Sequence, residues 1–189
     1  MKIILASQSP RRKALLEKAG LKVIVDPSNA DERSIKDKDL KNLVLRISEL
    51  KANTVAKRHK DSIIIAADTM VYFDNKEIGQ PKDRDDARKM LKELLGKTHK
   101  VGTGITIINT ATGKMLRDFE LSKVTLNDMS DAKIWEYLDT DKYIGKAGAY
   151  NILDKEFKEF IKNYEGDYEN IVGLPIKKVL DMIEKVKNE

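Results

Sequence analysis

The chain has 189 residues, 35% of them charged and 41% apolar, and its 36 Lys+Arg against 31 Asp+Glu leave a net charge of +5. That length suits one domain, residues 1–189, with a core of its own; the charge suits an anionic partner, or simply a soluble or heat-adapted surface. With no cysteine and only two histidines, His59 and His99, disulfide scaffolds, cysteine nucleophiles, Fe–S clusters and Cys/His zinc fingers are excluded, a Ser-His-Asp triad would have to use one of those two imidazoles, and any metal would be held mainly by carboxylates and water, which points to Mg²⁺ or Mn²⁺.

Lys2–Ala6 reads as a buried strand. Ser9 is a good N-cap and Pro10 suits the first helical position, so a helix follows, with Ala14, Leu15, Leu16 and Ala19 as its apolar face and Gly20 as its stop. Leu21–Val25 reads as a second strand and residues 26–38 as a polar loop. Leu40, Leu43, Val44, Ile47, Leu50 and Val55 recur at helical spacing, predicting a long helix from about Asp39 to His59. Ser62–Phe73 is an apolar strand interrupted by Asp68-Thr69, and Asp74-Asn75-Lys76 turns it back through Glu77-Ile78.

Residues 83–95 read as an amphipathic helix ended by Gly96. Strands His99–Asn109 and Lys114–Thr125 form a hairpin around Thr110–Gly113. Ser130 caps a helix to about Leu138, Lys142–Asp154 is irregular, and Phe157–Tyr164 is ambiguous. Asn170–Gly173 reads as a short strand or turn, and Pro175 opens a helix to about Lys187. Strands and helices alternate without linker or repeat, so the expectation is α/β, with two lobes around a cleft. No apolar run approaches the roughly 20 residues of a membrane span, and the opening residues lack a signal-peptide core; the expected setting is cytoplasmic.

Four segments could carry chemistry. Ser7-Gln8-Ser9-Pro10-Arg11-Arg12 sits where a strand gives way to a helix, whose N-terminus presents free N–H groups and partial positive charge. Two arginines in that first turn conflict with the dipole unless an anion is bound or acids elsewhere pair them. Asp68, in mid-strand, is costly to bury ionised unless paired or metal-bound; it is a metal ligand or general base, or a carboxylate satisfied by nearby backbone. Asp31-Glu32 could add a carboxylate. Lys51 lies on the core-facing stripe of its helix and either snorkels or reaches an anion. In Lys146-Ala147-Gly148-Ala149-Tyr150 small residues would let backbone approach a ligand, or simply form a loop over a buried tyrosine. His99 reads as a structural hydrogen-bonding histidine, and Trp135 and Tyr137 as helix packing.

Taken together these segments resemble the Maf family of nucleoside triphosphate pyrophosphatases. The resemblance rests on Leu5 through Arg12 with Leu15-Leu16, Asp31-Glu32, Leu50-Lys51-Ala52, Ala67-Asp68-Thr69-Met70-Val71, Gly79-Gln80-Pro81, Gly96 through Val101 with Thr103-Gly104, Lys146 through Tyr150, and Gly166 through Pro175. These pieces span nearly the whole chain in family order. The resemblance implies an inosine triphosphate pyrophosphatase-like fold with a mixed twisted sheet, flanking helices and two lobes. It implies hydrolysis of a nucleoside triphosphate to monophosphate and pyrophosphate with a divalent metal, a homodimer, and a role in sanitising the nucleotide pool and in cell-division arrest. By position, Ser7, Arg11, Arg12, Lys51 and Thr69 would bind substrate, Glu32 and Asp68 would bind metal, and Asp68 would accept the proton of the attacking water.

Within the family, Thr69 and Arg11 resemble the dTTP/UTP branch, whereas the 7-methyl-GTP branch typically carries Gln at the position of Thr69. Two departures stand out. Gln80 replaces the usual Lys, and Leu153 replaces a Gln associated with substrate choice and cannot hydrogen-bond a base. Together with the net +5 they motivate an alternative, a non-catalytic nucleotide- or nucleic-acid-binding regulator. Against it, a pure polyanion binder gains nothing from inward acids, and neither an RNA-binding aromatic signature nor a helix-turn-helix pattern stands out, so no nucleic-acid partner is expected.

Overall fold

The computed structural model describes residues 1–188. Its strands are β1 Lys2–Leu5, β2 Val23–Val25, β3 Ser62–Phe73, β4 Lys76–Ile78, β5 Thr98–Asn109, β6 Met115–Leu126 and β7 Ile161–Glu165. Its α-helices are α1 Pro10–Lys18, α2 Leu40–Ala56, α3 Arg84–Leu94, α4 Asp131–Leu138, α5 Tyr168–Val172 and α6 Ile176–Lys187. The strands form one mixed sheet in the order β2-β1-β3-β5-β6-β7, with β4 paired to β3. Pairing is parallel from β1 to β2 and β3, and antiparallel for β3–β4 and β6–β7.

The chain divides into two compact units. The first comprises Met1–Thr69, Gly102–Glu120 and the chain from Gly173 onward. Here β1 and β3 alternate their side chains between two helical layers. Leu5, Ile63, Ile65 and Ala67 point into a cluster with Leu16 of α1 and Val179, Met182, Ile183 and Val186 of α6. Ile4, Ala6, Ile64 and Ala66 face the other way, onto Ala52 and Val55 of α2. Both faces of the sheet are therefore buried here, which is why residues 63–67 of β3 read as an unbroken apolar run.

Gly104 of β5 lets α2 sit directly on the sheet. A Cβ there would lie 2.4 Å from the backbone carbonyl carbon and oxygen of Val44 and 2.6 Å from the amide nitrogen of Leu45. Two residues on, Thr106 Oγ1 hydrogen-bonds Ser48 Oγ of α2 at 2.9 Å.

The second unit comprises Met70–Val101 and Leu121–Val172. An aromatic group forms its core: Tyr150 stacks on Phe157 (4.6 Å between centroids), Phe157 on Phe160 (4.7 Å), and Tyr137 packs on both. Trp135 lies under the guanidinium groups of Arg84 and Arg88. His99, 1% exposed, shares a 2.6 Å hydrogen bond with the Tyr150 hydroxyl. The structural reading of His99 thus holds, and His59 pairs with Asp26. The backbone N–H of Gly148 donates to the Gly79 carbonyl at 3.0 Å, tying the Lys146–Tyr150 loop to the segment that carries Gln80.

Most elements lie where the residue pattern puts them, with three differences. Leu21 is not in β2, because its N–H closes α1 on the Leu16 carbonyl. The stretch read as Asn170–Gly173 strand or turn contains the end of α5; Asp167 accepts from the Asn170 N–H at 3.0 Å and caps a helical turn there. Phe157–Tyr164 divides into a 3₁₀ stretch ending at Phe160 and then β7.

Two predictions follow from this packing. Gly104→Ala forces the main chain of α2 off β5, since backbone cannot yield as a flexible side chain can, and should lower unfolding free energy in urea by about 3 kcal/mol. Burial lowers the His99 imidazolium pKa from 6.5 to about 4. The unfolded chain therefore takes up the proton first, and this residue's share of stability is present above pH 6.5 and lost as pH falls toward 4. Moving from pH 7.5 to pH 5 should remove about 2 kcal/mol through His99 alone, measured as the difference in urea stability between wild type and His99→Gln.

Candidate active site

Asp68 and Thr69 continue the alternation of β3 beyond the apolar residues. Asp68 follows Ile64 and Ala66 onto the α2 face, and Thr69 follows Ile65 and Ala67 onto the α1 face. Lys51 occupies the buried stripe of α2 between Ile47 and Val55 and is only 7% exposed. Its ammonium does not snorkel out. Nζ lies 2.7 Å from Asp68 Oδ1 and 3.0 Å from Glu32 Oε2. A buried carboxylate and a half-exposed one thus share one buried cation, a pairing that makes charges so far from water tolerable.

Glu32 reaches this position from a short 3₁₀ turn, Glu32–Ser34, inside the predicted loop. Asp31 caps that turn, its Oδ1 accepting from the Arg33 N–H at 3.2 Å. The acidic pair is thereby split: Asp31 shapes the backbone and Glu32 faces the lysine. Asp68 Oδ2 is buried and has no hydrogen-bond partner, so half of this carboxylate's accepting capacity is uncommitted in a place where that is expensive. Glu32 and Lys51, its neighbours, line a cavity of about 290 Å³ together with Ala6 to Ser9 and Pro27 to Asn29.

On the other face, α1 starts at Pro10 with Ser9 as N-cap, its Oγ accepting from the Arg12 N–H. The Arg12 side chain is a strap. Its Nε donates to the Gly173 carbonyl (2.9 Å), Nη1 to Ser7 Oγ (3.1 Å) and Nη2 to Thr69 Oγ1 (3.0 Å). Three of the five guanidinium N–H groups are thus used by protein oxygens, leaving two. Burial lowers the Arg12 pKa, Asp68 opposes that, neighbouring Arg11 reinforces it, and Glu32 opposes it again; an arginine stays charged throughout. Ser7 Oγ also accepts from the Ser9 N–H at 3.2 Å. Both its lone pairs are then occupied and its proton is the capacity that remains.

Of the residues singled out in the sequence, Ser7, Glu32, Lys51, Asp68, Arg11, Arg12 and Thr69 all fall in the first unit, and Leu153 falls in the second, 47% exposed. Thr103 and Gly173 carry weight that the sequence reading gave them no role for. Thr103 Oγ1 lies 2.9 Å from Thr69 Oγ1, and the Gly173 carbonyl receives both Arg12 and Thr69. The available signal was a threonine inside the apolar β5 and a glycine before Leu174-Pro175; the structure shows that this glycine has a φ of 129°, which an L side chain would strain to adopt.

Both the sequence and the fold are similar to those of known proteins. The sequence matches the family described as Maf-like protein over residues 2–186, and the chain belongs to that family. A protein of Thermoanaerobacter sp. strain X514 named dTTP/UTP pyrophosphatase is 45% identical over 186 residues, covering 98% of this chain and 96% of its own length. One of the same name from Pyrococcus furiosus is 44% identical over 184 residues, covering 97% and 94%. Among solved structures, a HAM1 protein from Coxiella burnetii aligns with TM-score 0.54 at 12% identity, and the Staphylococcus aureus Ham1 protein with 0.53 at 15%; each alignment covers 98% of this chain and 99% of the other. At those identities the likeness concerns the fold alone. Among the described residues no helix is long and apolar enough to cross a membrane.

Removing the shared cation exposes the energetics of this site. Lys51→Met leaves Asp68 buried and unpaired and should cost about 3 kcal/mol in chemical denaturation. The double variant Lys51→Met/Asp68→Asn, with no net charge left on the pair, should recover more than half of that loss.

Proposed function

We propose that this chain is a nucleoside triphosphate pyrophosphatase that hydrolyses dTTP and UTP to the monophosphate and pyrophosphate, the activity for which its relatives are named. The observation that carries the reading is Asp68: one carboxylate oxygen is fixed by Lys51, which itself lines the polar cavity, and the other is buried and unpartnered. Such an oxygen is placed to orient a water and take its proton as the water attacks the α-phosphorus and the α–β bridging P–O bond breaks. Lys51 holds the carboxylate in place and lowers the cost of bringing triphosphate charge to the cavity. Ser7 offers its remaining proton, and Arg12 its two remaining N–H groups, to phosphate oxygens. Arg11, in the same first turn of α1, adds positive charge at that helix end.

A divalent cation fits this set. The uncommitted Asp68 Oδ2 is a hard oxygen donor, and Glu32 faces the same ammonium. Among the described residues no group of three or more acids and histidines could hold a metal alone. Two carboxylates supplemented by water and substrate oxygens are the usual complement of Mg²⁺ or Mn²⁺. When bound, the ion would polarise a phosphoryl oxygen and acidify coordinated water. Leu153, apolar and exposed, offers a base no hydrogen bond, so discrimination among bases should be weaker at that position.

The test is a substrate panel of dTTP, UTP, 7-methyl-GTP, GTP and ITP with Mg²⁺ or Mn²⁺, assayed for pyrophosphate. Turnover of dTTP and UTP releasing pyrophosphate is expected; orthophosphate alone, or no turnover, would overturn the proposal. Asp68→Asn should lower kcat by about 10²- to 10⁴-fold with the far-UV circular dichroism unchanged.

A further inference from the structure

We infer that Thr69 acts as a positioning residue that touches no part of the substrate, and that Thr103 is a second one acting through it; together they aim Arg12. The inference rests on the phosphate-binding role proposed above for Arg12. It follows from counting protons. A threonine hydroxyl has one proton to give and two lone pairs to receive with. Thr69 Oγ1 lies 3.1 Å from the Gly173 carbonyl oxygen, which can only accept, so the Thr69 proton is committed there. Without a proton between them, two oxygens at that distance would repel. Arg12 Nη2, 3.0 Å away, can only donate, and takes one lone pair. Thr103 Oγ1, 2.9 Å away, finds the Thr69 proton already used and must donate its own, which takes the second.

The Thr69 hydroxyl is therefore saturated within the protein. The Gly173 carbonyl is in the same condition, with Arg12 Nε at 2.9 Å on one lone pair and Thr69 on the other. Thr103 is fully buried, so no solvent competes for its proton. Ser7 is the contrast: its lone pairs are filled, by Ser9 N–H and Arg12 Nη1, while its proton is not. Of the two hydroxyls that flank Arg12, one faces outward in hydrogen-bonding terms and the other is closed. Any influence of Thr69 on substrate choice must then pass through the guanidinium, and a guanidinium aimed at phosphate is indifferent to the base.

The experiment uses a probe without a base. Inorganic tripolyphosphate binding is measured by calorimetry in Mg²⁺ buffer, alongside kcat and KM for dTTP, UTP and GTP, in wild type, Thr69→Val, Thr69→Ser, Thr103→Val and Thr69→Val/Thr103→Val. Thr69→Val should weaken tripolyphosphate binding by about 10-fold and raise KM for every nucleotide by the same factor, with their relative kcat/KM unchanged. Thr69→Ser, which keeps the hydroxyl, should restore both. Thr103→Val should act in the same direction alone and add nothing in the Thr69→Val background, as members of one network do. A Thr69→Val protein that binds tripolyphosphate as wild type does while its preference among bases changes, or additive effects of the two valines, would overturn the inference. So would wild type that fails to bind tripolyphosphate. Wild type that binds it but turns over no nucleotide would instead defeat the proposed activity and leave the positioning measurement standing.

Discussion

An extended strand must send neighbouring side chains to opposite faces of its sheet, and at the end of the apolar stretch of β3 that rule separates Asp68 from Thr69. One peptide bond apart, they belong to different networks. Asp68 joins the buried lysine of α2 and the acid of the 26–38 loop. Thr69 joins the arginine of α1, the carbonyl of Gly173 and the threonine of β5. The sheet thus acts as a partition between a group suited to activating water and a group suited to holding an anion, while a single covalent link keeps the two in fixed relation. A one-residue slip of β3 against β1, where Ile4 pairs with Ile64 and Leu5 with Ile65, would exchange the two faces and abolish both.

The cost of this arrangement falls on buried charge. Lys51 and Asp68 sit in the interior at a desolvation expense that their mutual attraction only partly offsets, and a packed apolar pair of equal volume would hold the fold at least as well. Arg12 is likewise pressed by burial toward losing charge. The surrounding structure compensates locally: both helical layers are built from clean apolar clusters, and the polar atoms of the strap answer one another in a nearly closed set. Stability resides in the clusters rather than in the buried charges.

Much of this was legible in the residue pattern. The apolar alternation marked β3 and α2, Ser9-Pro10 marked the start of α1, and Asp68 was conspicuous as a charge in an apolar run. What the pattern could not supply was the choice between open alternatives. Whether Lys51 snorkels depends on where Asp68 points, and that is a matter of strand register against a helix more than ten residues earlier. Asp31 and Glu32 look equivalent in sequence and part company only because one caps the turn that aims the other. Thr103 and Gly173 stayed without roles because hydroxyl and carbonyl accounting needs all partners in place. The Asn170 region, a short strand or turn by its residues, ends a helical turn instead because its cap, Asp167, acts through side-chain geometry that local propensity does not register.

The bare contact at Gly104 has a further meaning for how such a site can change over time. Lys51 lies seven residues beyond Val44, two helical turns or about 10 Å along α2. Because main chain touches main chain at Val44, the distance from sheet to ammonium is set by backbone, much as a machinist's stop sets the depth of a cut. Side chains elsewhere along α2 can be exchanged for others of different bulk without moving that reference point. The buried lysine is thereby insulated from drift in the core, and the burden of keeping it in place rests on a residue that has no side chain at all.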